Sequence, residues 1–423
     1  MECSLKAHVQ KSRQCGSHMS TARLPGLVNV HSHTFQRAIR GRTEHRTAAH
    51  DDFWTWREAM YHAATRLSAD DIYDVARMAF LEMALSGITH VGEFHYLHHQ
   101  PNGEPYDDPN LLAQQIIRAA ESVGIRLTLL MCAYARAGYN KPPNAGQARF
   151  LTQTPELFLQ RFEELGAATA GGQAPVRLGV PVRLGLAPHS IRALPFDYIR
   201  ELVRYAAARK LPLHMHVSEQ PGELEQCRTE HGTTPVALLA KHKLLSERFT
   251  AVHATHISDD EVQALAAAGA TVCACPTTER NLGDGIAPAD RLLAAGVPIC
   301  LGTDSQIQID LLEDARELEY HTRLQLLRRV VLADNLAKPL FEAATVNGTK
   351  SLGGGANDDY FTIDLHDPSI AGAPDEVAAV FSLERTAIRN VFVGGKQIVR
   401  GGRHPLQEEI VHRFVEVQER LWR

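Results

Sequence analysis

Histidine and aspartate residues stand at the ends of several apolar segments of this 423-residue chain. His31 and His33 are separated by one residue, so on a β-strand they share a face and can reach one metal ion. His216, His253 and Asp304 follow later apolar segments. Imidazole and carboxylate groups build catalytic zinc sites that keep one position open for water. The sequence therefore predicts a hydrolytic centre with zinc as the metal.

Eight apolar segments bounded by turn residues are predicted to be strands. They cover residues 24–32, 88–94, 125–133, 182–188, 211–217, 249–253, 271–275 and 297–302. Segments with the helical spacing of apolar residues lie between them. Strands that alternate with helices in eight units predict an α/β fold, the (β/α)8 TIM barrel, whose active site lies at the carboxyl ends of the strands. The candidate ligands follow strands one, five, six and eight, and we expect them to meet there.

Some residues of the same types have a simpler explanation. The chain contains 22 histidines, so pairs separated by one residue also occur by chance. His214 and His216 form such a pair, and we expect only His216 to bind metal. Cys273 and Cys275 could in principle bind an ion through two thiolates, but on a predicted barrel strand we interpret them as packing residues.

The pattern of segments changes after residue 351. The barrel is predicted to span residues 23–351, residues 352–405 are predicted to be a small C-terminal β-sandwich segment, and residues 406–423 a C-terminal helix. The predicted strands of the small segment are residues 360–365, 377–382 and 391–399, the last a hairpin with a Gly-Gly turn. Residues 1–22 are polar and carry no strand pattern, so we expect an unstructured or non-native N-terminal extension.

Motifs at the predicted strand ends resemble those of the metal-dependent amidohydrolase superfamily, in its mononuclear deaminase branch. These motifs are Pro-Gly-Leu-Val-Asn-Val-His-Ser-His at 25–33, His-Val-Ser-Glu at 216–219 and Gly-Thr-Asp-Ser at 302–305. Three further motifs resemble the formimidoylglutamate deiminase family of histidine catabolism. They are Trp-Thr-Trp-Arg-Glu at 54–58, His-Ser-Ile-Arg at 189–192 and Asn-Leu-Gly-Asp-Gly at 281–285. The resemblance covers roughly residues 24 to 404.

The resemblance implies a role for each candidate. One Zn²⁺ per chain would be bound by His31, His33, His216 and Asp304. Its charge would lower the pKa of bound water toward ~7 and supply a nucleophile at neutral pH. Asp304 would also accept the proton of that water. Glu219 would act as general acid toward the departing nitrogen, and His253 would hydrogen-bond the attacking oxygen.

The resemblance also implies a substrate. It is N-formimino-L-glutamate, a linear amidine whose C–N bond would be hydrolysed to give N-formyl-L-glutamate and ammonia. Two carboxylates flank the amidine, and the planar fork of arginine binds carboxylates through two hydrogen bonds. Arg57 and Arg192 are the candidates for this role, and Gln36, Tyr96 and His189 could supply neutral hydrogen bonds.

Two alternatives stay open. Another deaminase of the superfamily, acting on guanine or an adenosine derivative, would keep the metal ligands but need aromatic stacking in place of two arginines. A truncated, inactive barrel is the other alternative. In the family both chain ends usually build the sandwich, whereas here residues 1–22 lack strand patterns, so its N-terminal half is expected to be missing.

Composition argues against other classes of protein. A net charge of −5 provides no basic surface for nucleic acid. No apolar run approaches the ~20 residues that span a membrane. The seven cysteines are scattered and lack a Cys-x-x-Cys pair, which favours the reducing cytoplasm over a disulfide framework. We expect a cytoplasmic enzyme with a small-molecule substrate, and a homodimer is left open.

Overall fold

The computed structural model describes residues 21–46, 51–170, 182–354, 358–373 and 376–423. The strands are β1 Thr21–Pro25, β2 Leu27–Ser32, β3 Ile88–His95, β4 Arg126–Ala133, β5 Arg183–Pro188, β6 Leu213–Val217, β7 Phe249–His253, β8 Thr271–Ala274, β9 Ile299–Leu301, β10 Tyr360–Asp364, β11 Ile388–Val393 and β12 Lys396–Val399. The helices are α1 Phe53–Ala64, α2 Ala69–Leu85, α3 Leu111–Val123, α4 Pro155–Ala170, α5 Phe196–Arg209, α6 Pro221–His231, α7 Pro235–Lys241, α8 Asp259–Ala268, α9 Pro276–Leu282, α10 Ala289–Ala294, α11 Leu311–Leu326, α12 Ala337–Ala343, α13 Val346–Ser351, α14 Glu376–Ser382 and α15 Gln407–Leu421. Short 3₁₀ helices cover Thr34–Ile39, Ala145–Phe150 and Arg385–Ala387.

The larger sheet contains eight parallel strands in the order β2 to β9. Strands β2, β3 and β6 are buried at every residue, as expected of a parallel sheet whose outer face is covered by helices. Ser32 forms a parallel bridge with Asp304. Backbone hydrogen bonds of 2.9 and 3.0 Å join Asp304 to His31 and His33. These bonds link β2 to the segment after β9, and the predicted (β/α)8 TIM barrel is confirmed.

The smaller sheet is antiparallel, with the order β1-β10-β11-β12. Leu24 pairs with Phe361, and Phe361 pairs with Val391. All three side chains are buried, so they form the inner face of the sheet. Arg126 of β4 donates two hydrogen bonds of 2.9 Å to the carboxylate of Asp359, next to β10. This ion pair attaches the smaller sheet to the barrel.

The N-terminal part of the chain supplies one strand of the smaller sheet. The single strand predicted at residues 24–32 is in fact two strands, because β1 belongs to the smaller sheet and β2 to the barrel. The chain changes sheet at Gly26, where a Cβ would overlap the hydroxyl oxygen of Thr89. The barrel therefore begins at Leu27 and not at residue 23. The expectation that residues 1–22 form no strand is wrong for the last two, and the first twenty lie outside the described residues.

A second correction concerns residues 377–382, which belong to helix α14 and not to a strand. A short apolar run does not distinguish a helix from a strand by its periodicity. Helix α14 contacts α11 and α12, so its partners are helices rather than the smaller sheet. The other two predicted C-terminal β segments are present, as β10 and as the hairpin of β11 and β12.

The last helix, α15, lies against α2. Arg77 of α2 donates hydrogen bonds to both carboxylate oxygens of Glu409. The indole nitrogen of Trp422 donates to the carbonyl of Ala38, which follows the first barrel strand. None of the helices that the structure describes combines the length and apolarity needed to cross a lipid bilayer.

Candidate metal centre and active site

The four predicted metal ligands converge at the carboxyl ends of the barrel strands. One ligand atom from each of His31, His33, His216 and Asp304 lies within 4.8 Å of the others. The Nε2 atoms of His31 and His33 are both 3.3 Å from Oδ1 of Asp304. Nε2 of His216 is 3.1 Å from Nε2 of His31. Three ring nitrogens and one carboxylate oxygen thus surround a common point.

Backbone carbonyls orient two of these imidazoles. Nδ1 of His33 is 2.9 Å from the carbonyl oxygen of Phe94, and Nδ1 of His216 is 3.1 Å from that of His189. With the proton on Nδ1, each ring directs the lone pair of Nε2 into the cluster, as a metal ligand requires. Burial lowers the pKa of His33 to about 3, so the ring is neutral at pH 7. Neutral imidazoles beside one carboxylate fit a zinc ion.

The backbone at the strand ends adopts left-handed conformations. φ is +53° at Ser218 after β6, +69° at His253 in β7 and +45° at Asp304 after β9. Such values are uncommon outside glycine, and each costs on the order of 1–3 kcal/mol. They persist only where the surrounding structure dictates them. The fold therefore holds these segments in the geometry that brings the site together at a cost in stability.

Glu219 and His253 lie beside the four ligand atoms. Nε2 of His253 is 3.8 Å from Oε1 of Glu219 and 3.8 Å from Oδ2 of Asp304, and its Nδ1 is 3.3 Å from Oε1 of Glu279. Burial by itself lowers the pKa of His253, but these three carboxylates outweigh it and raise the pKa to about 10. The Nε2–H group can therefore donate a hydrogen bond to an oxygen beside Asp304.

A cavity opens above the cluster. The residues predicted for catalysis or substrate binding all line it, namely Gln36, Arg57, Tyr96, His189, Arg192, Glu219, His253 and Asp304. Aromatic residues that were not predicted as site residues complete the wall, among them Phe53, Trp56, Tyr61, Tyr134 and Phe150. These come from α1 and from the segment after β4, and no pattern in the sequence placed them at the cavity.

The two predicted arginines stand in different surroundings. Arg192 donates a hydrogen bond of 3.1 Å to Oε2 of Glu219, and its Nε is 3.9 Å from Oε2 of Glu223. Arg57 forms no ion pair with any described residue. Its guanidinium carbon lies 4.5 Å from the ring centroid of Trp54, and its buried Nε has no hydrogen-bond partner. Arg57 therefore presents an uncompensated positive charge at the cavity.

The three neutral candidates form a polar wall. Gln36 donates a hydrogen bond of 2.9 Å to the hydroxyl of Tyr96, and its buried Oε1 has no protein partner. The ring of His189 lies 4.8 Å from the ring of His216 and 5.7 Å from that of Tyr96. Burial lowers the pKa of His189 well below its usual value. All three therefore offer hydrogen bonds without charge.

Two buried glutamates that were not predicted as site residues support the site. Glu93 accepts hydrogen bonds from the hydroxyl of Ser32 at 2.6 Å and from the backbone and hydroxyl of Thr34 at 2.7 Å. It therefore braces the segment that carries His31 and His33. Glu279 does the same for His253. Their roles depend on side-chain contacts between segments that are separate in the sequence.

A TIM barrel with three histidines and an aspartate at its strand ends defines a metal-dependent hydrolase. Comparisons with known proteins agree. Residues 23–398 match the model of the Amidohydrolase family. Formimidoylglutamate deiminase of Pseudomonas aeruginosa is 37% identical over 93% of this chain and 88% of its own length. A 5-methylthioadenosine/S-adenosylhomocysteine deaminase of Haloarcula marismortui is 27% identical over 89% of this chain and 81% of its own length.

Solved structures show the same fold. An amidohydrolase from Brucella melitensis superimposes with a TM-score of 0.88 and 34% identity, over 98% of this chain and 94% of that one. An adenosine deaminase from Xanthomonas campestris with bound zinc superimposes with a TM-score of 0.78 and 20% identity, over 95% of this chain and 86% of that one. The chain belongs to the amidohydrolase family. Its resemblance to formimidoylglutamate deiminase, expected from the motifs, is confirmed by the Pseudomonas relative.

Proposed function

We propose that this protein hydrolyses N-formimino-L-glutamate to N-formyl-L-glutamate and ammonia in histidine catabolism. The observation that carries the proposal is Arg57, a cation without an acidic partner among the described residues, in the cavity that contains the cluster of metal-ligand atoms. A substrate carboxylate would supply the missing partner. The similarity to a formimidoylglutamate deiminase over most of both chains supports the same reaction.

We further propose that one Zn²⁺ per chain is held by His31, His33, His216 and Asp304. When bound, zinc supplies a water molecule whose pKa is lowered toward ~7, and so a nucleophile at neutral pH. The protein's contribution is the orientation of its ligands. Hydrogen bonds from Nδ1 of His33 and His216 to backbone carbonyls keep both Nε2 lone pairs directed at the ion.

Three side chains would handle the protons of the reaction. Asp304 accepts a proton from the attacking water, Glu219 carries a proton to the departing nitrogen, and Nε2–H of His253 donates to the oxygen that becomes negative. The hydrogen bond from Arg192 fixes the orientation of the Glu219 carboxylate. This assignment agrees with the positions of Glu219 and His253 beside the cluster and at the cavity wall.

Recognition of the substrate would divide between charged and neutral groups. Arg57 and Arg192 would bind the two carboxylates. A guanidinium has five N–H donors, so Arg192 can bind a carboxylate while it keeps its hydrogen bond to Glu219. Gln36, Tyr96 and His189 would hydrogen-bond the formimino group. Because these three groups are uncharged, they would add no repulsion against the amidine.

Deamination of a heterocycle is a second candidate function. Several aromatic side chains line the cavity, and aromatic rings can stack on a purine base. Guanine and adenosine carry no carboxylate, so either of them would leave Arg57 without a partner. A cation near an aromatic ring and without a carboxylate is less well compensated than one paired with substrate, so the geometry favours the dicarboxylate.

Measured ammonia release separates the two candidates. The metal-loaded protein is assayed with N-formimino-L-glutamate, guanine and adenosine in parallel. We expect kcat/KM for N-formimino-L-glutamate to exceed the others by roughly 10⁴-fold, since a site built for polar partners strongly rejects substrates that lack them. A preference for either heterocycle would overturn the proposal.

We also propose a cytoplasmic location. The described cysteines are free and buried, namely Cys132, Cys227, Cys273, Cys275 and Cys300. Thiols that remain unpaired are typical of a reducing compartment. Fractionation of the producing cells, followed by detection of the protein in each fraction, tests this location.

A further inference from the structure

A second group of potential metal ligands lies beside the first. His253, Cys275 and Asp304 each offer one ligand atom, and these atoms lie within 4.8 Å of one another. All three residues are buried. Cys275 directly follows β8 and has no part in the proposed hydrolysis. The sequence alone led us to interpret Cys273 and Cys275 as packing residues, whereas the structure groups Cys275 with a histidine and an aspartate.

Asp304 turns a different oxygen toward each group. Its Oδ1 is 3.3 Å from Nε2 of His31 and 3.3 Å from Nε2 of His33. Its Oδ2 is 3.8 Å from Nε2 of His253. Neighbouring ions in two-metal sites are separated by about 3.5–4 Å. A carboxylate that binds one ion through each oxygen is therefore compatible with occupation of both groups.

The nitrogen that faces this second group has no hydrogen-bond partner. Nε2 of His253 is buried and unpaired among the residues that the structure describes, and the side chain is only 1% exposed. Its Nδ1, 3.3 Å from Glu279, holds the ring in this orientation. Glu219 places another carboxylate oxygen 3.8 Å from Nε2. A buried ring nitrogen beside a thiol and two carboxylates is a suitable environment for a cation.

We propose that His253, Cys275 and Asp304 form a second, inhibitory site for a soft divalent cation, such as Cd²⁺ or excess Zn²⁺. Thiolate ligands favour soft ions, and imidazole suits the same metals. The ion would bond to Sγ, Nε2 and Oδ2, and the protons of the thiol and of Nε2 would pass to solvent. Hydrolysis would stop because His253 and Oδ2 of Asp304 would no longer be free for proton transfer. Binding is independent of the proposed function, and only the inhibition rests on it.

Cadmium binding to the zinc-loaded protein tests the site directly. We expect the wild type to keep its zinc, take up about one Cd²⁺ per chain and develop the ultraviolet charge-transfer absorption of a cadmium–thiolate bond. Cys275→Ala should lose both the uptake and the absorption. Cys273→Ala is the matched control, since Cys273 is equally buried two residues earlier, and it should behave like the wild type.

Three outcomes would overturn the site. They are uptake and absorption unchanged in Cys275→Ala, loss of both in Cys273→Ala alone, and displacement of zinc by cadmium in wild type and Cys275→Ala alike. If circular dichroism shows that Cys275→Ala is unfolded, Cys275→Ser provides the same comparison. A serine hydroxyl keeps the size of the side chain but is a poor ligand for a soft ion.

Inhibition of ammonia release gives a second measurement. Cys275→Ala should keep the basal rate and require at least about tenfold more Cd²⁺ for half inhibition, equivalent to about 1.4 kcal/mol of lost binding. Equal inhibition of both proteins would overturn the site even if N-formimino-L-glutamate is the substrate. If the substrate is not hydrolysed but Cys275-dependent cadmium uptake is seen, the proposed function fails and the second site stands.

Discussion

The metal side and the recognition side of the cavity are built differently. On the metal side the ligands lie at the ends of barrel strands, and backbone carbonyls orient His33 and His216. On the recognition side Arg57 belongs to helix α1, and Arg192 lies in the turn after β5. Arg192 is held by Glu219, whereas the contacts of Arg57 within the described part of the chain are with aromatic rings. The metal side is thus arranged before substrate binds, while the recognition side keeps one charge for the ligand to compensate.

Negative charge is concentrated on the metal side. Glu219, Glu279 and Asp304 all lie within 4 Å of His253. The charges of the same three carboxylates also act on Asp284. Burial and the charge of Glu219 raise the pKa of Asp284 to about 9, so this carboxyl group is protonated at neutral pH. A surplus of acidic groups in a buried site favours bound cations, which agrees with the two metal sites that we propose on this side of the cavity.

The largest effect is expected from His216→Ala, which removes one of three ring nitrogens from the metal side. Zinc content should fall far below the expected value of about one per chain, and ammonia release should disappear with it. His214→Ala is the matched control on the same strand. Nε2 of His214 faces the carbonyl of Ser351 at 3.1 Å, so this variant should keep its zinc. Zinc content and ammonia release are measured on the folded fraction of each variant. Loss of zinc in His214→Ala but not in His216→Ala would refute the ligand assignment.

Glu219→Gln should have the next largest effect. Loss of a general acid lowers turnover by ~10²–10⁴-fold, but zinc should be retained because Glu219 is not among the four ligands. Glu223→Gln is the matched control, since Glu223 approaches Arg192 and the backbone nitrogen of Glu219 without lining the cavity. It should lower turnover much less. A zinc-free Glu219→Gln protein would place Glu219 among the ligands.

The sequence predicted the metal side better than the recognition side. His31 and Asp304 end or follow strands, and parallel strands bring their carboxyl ends to one edge, so periodicity alone placed them together. The aromatic wall was not predicted, since Trp56 and Tyr134 reach the cavity only through the paths of long connections. The pairing of Arg192 with Glu219 was also missed, because side-chain contacts between separate loops leave no periodic signal.

The same limit explains the errors outside the site. The run at residues 24–32 is mostly apolar up to Val30 and looks like one strand. In the structure the chain leaves one sheet for the other at Gly26, which packs against Thr89. Residues 377–382 make up fewer than two helical turns, which is too short for the helical period of apolar residues to be recognised. The local sequence pattern predicted the barrel, whereas the boundary between the barrel sheet and the smaller sheet depends on contacts between distant parts of the chain.

Arg57→Met tests whether the recognition side is completed by a carboxylate. We expect kcat/KM for N-formimino-L-glutamate to fall by ~2–5 kcal/mol, because one substrate carboxylate would lose its partner. An analogue that lacks the carboxylate bound by Arg57 should lose much less. Arg192→Met should impair both compounds, because Glu219 also loses its partner. If Arg57→Met impairs both compounds equally, Arg57 has a structural role and the dicarboxylate assignment loses its main support.

The smallest effect on catalysis is expected in the smaller sheet, which is remote from both sides of the cavity. Arg126→Met would leave Asp359, whose side chain is 1% exposed, without its arginine, and we expect a loss of about 2–4 kcal/mol in unfolding free energy. Arg209→Met is the control, because Arg209 and Glu163 form an exposed pair and such pairs contribute about 1 kcal/mol or less.

Hydrogen exchange then shows where the stability is lost. In Arg126→Met the amides of β10, β11 and β12 should exchange faster, while the barrel strands and kcat stay unchanged. Exchange of β10 to β12 should already exceed that of the barrel strands in the wild type, since among the described residues the smaller sheet has four strands, with β1 and β12 at its edges. A fall in kcat that accompanies the loss of stability would show that the smaller sheet helps to shape the cavity. The smaller sheet would then not be independent of the metal side of the cavity.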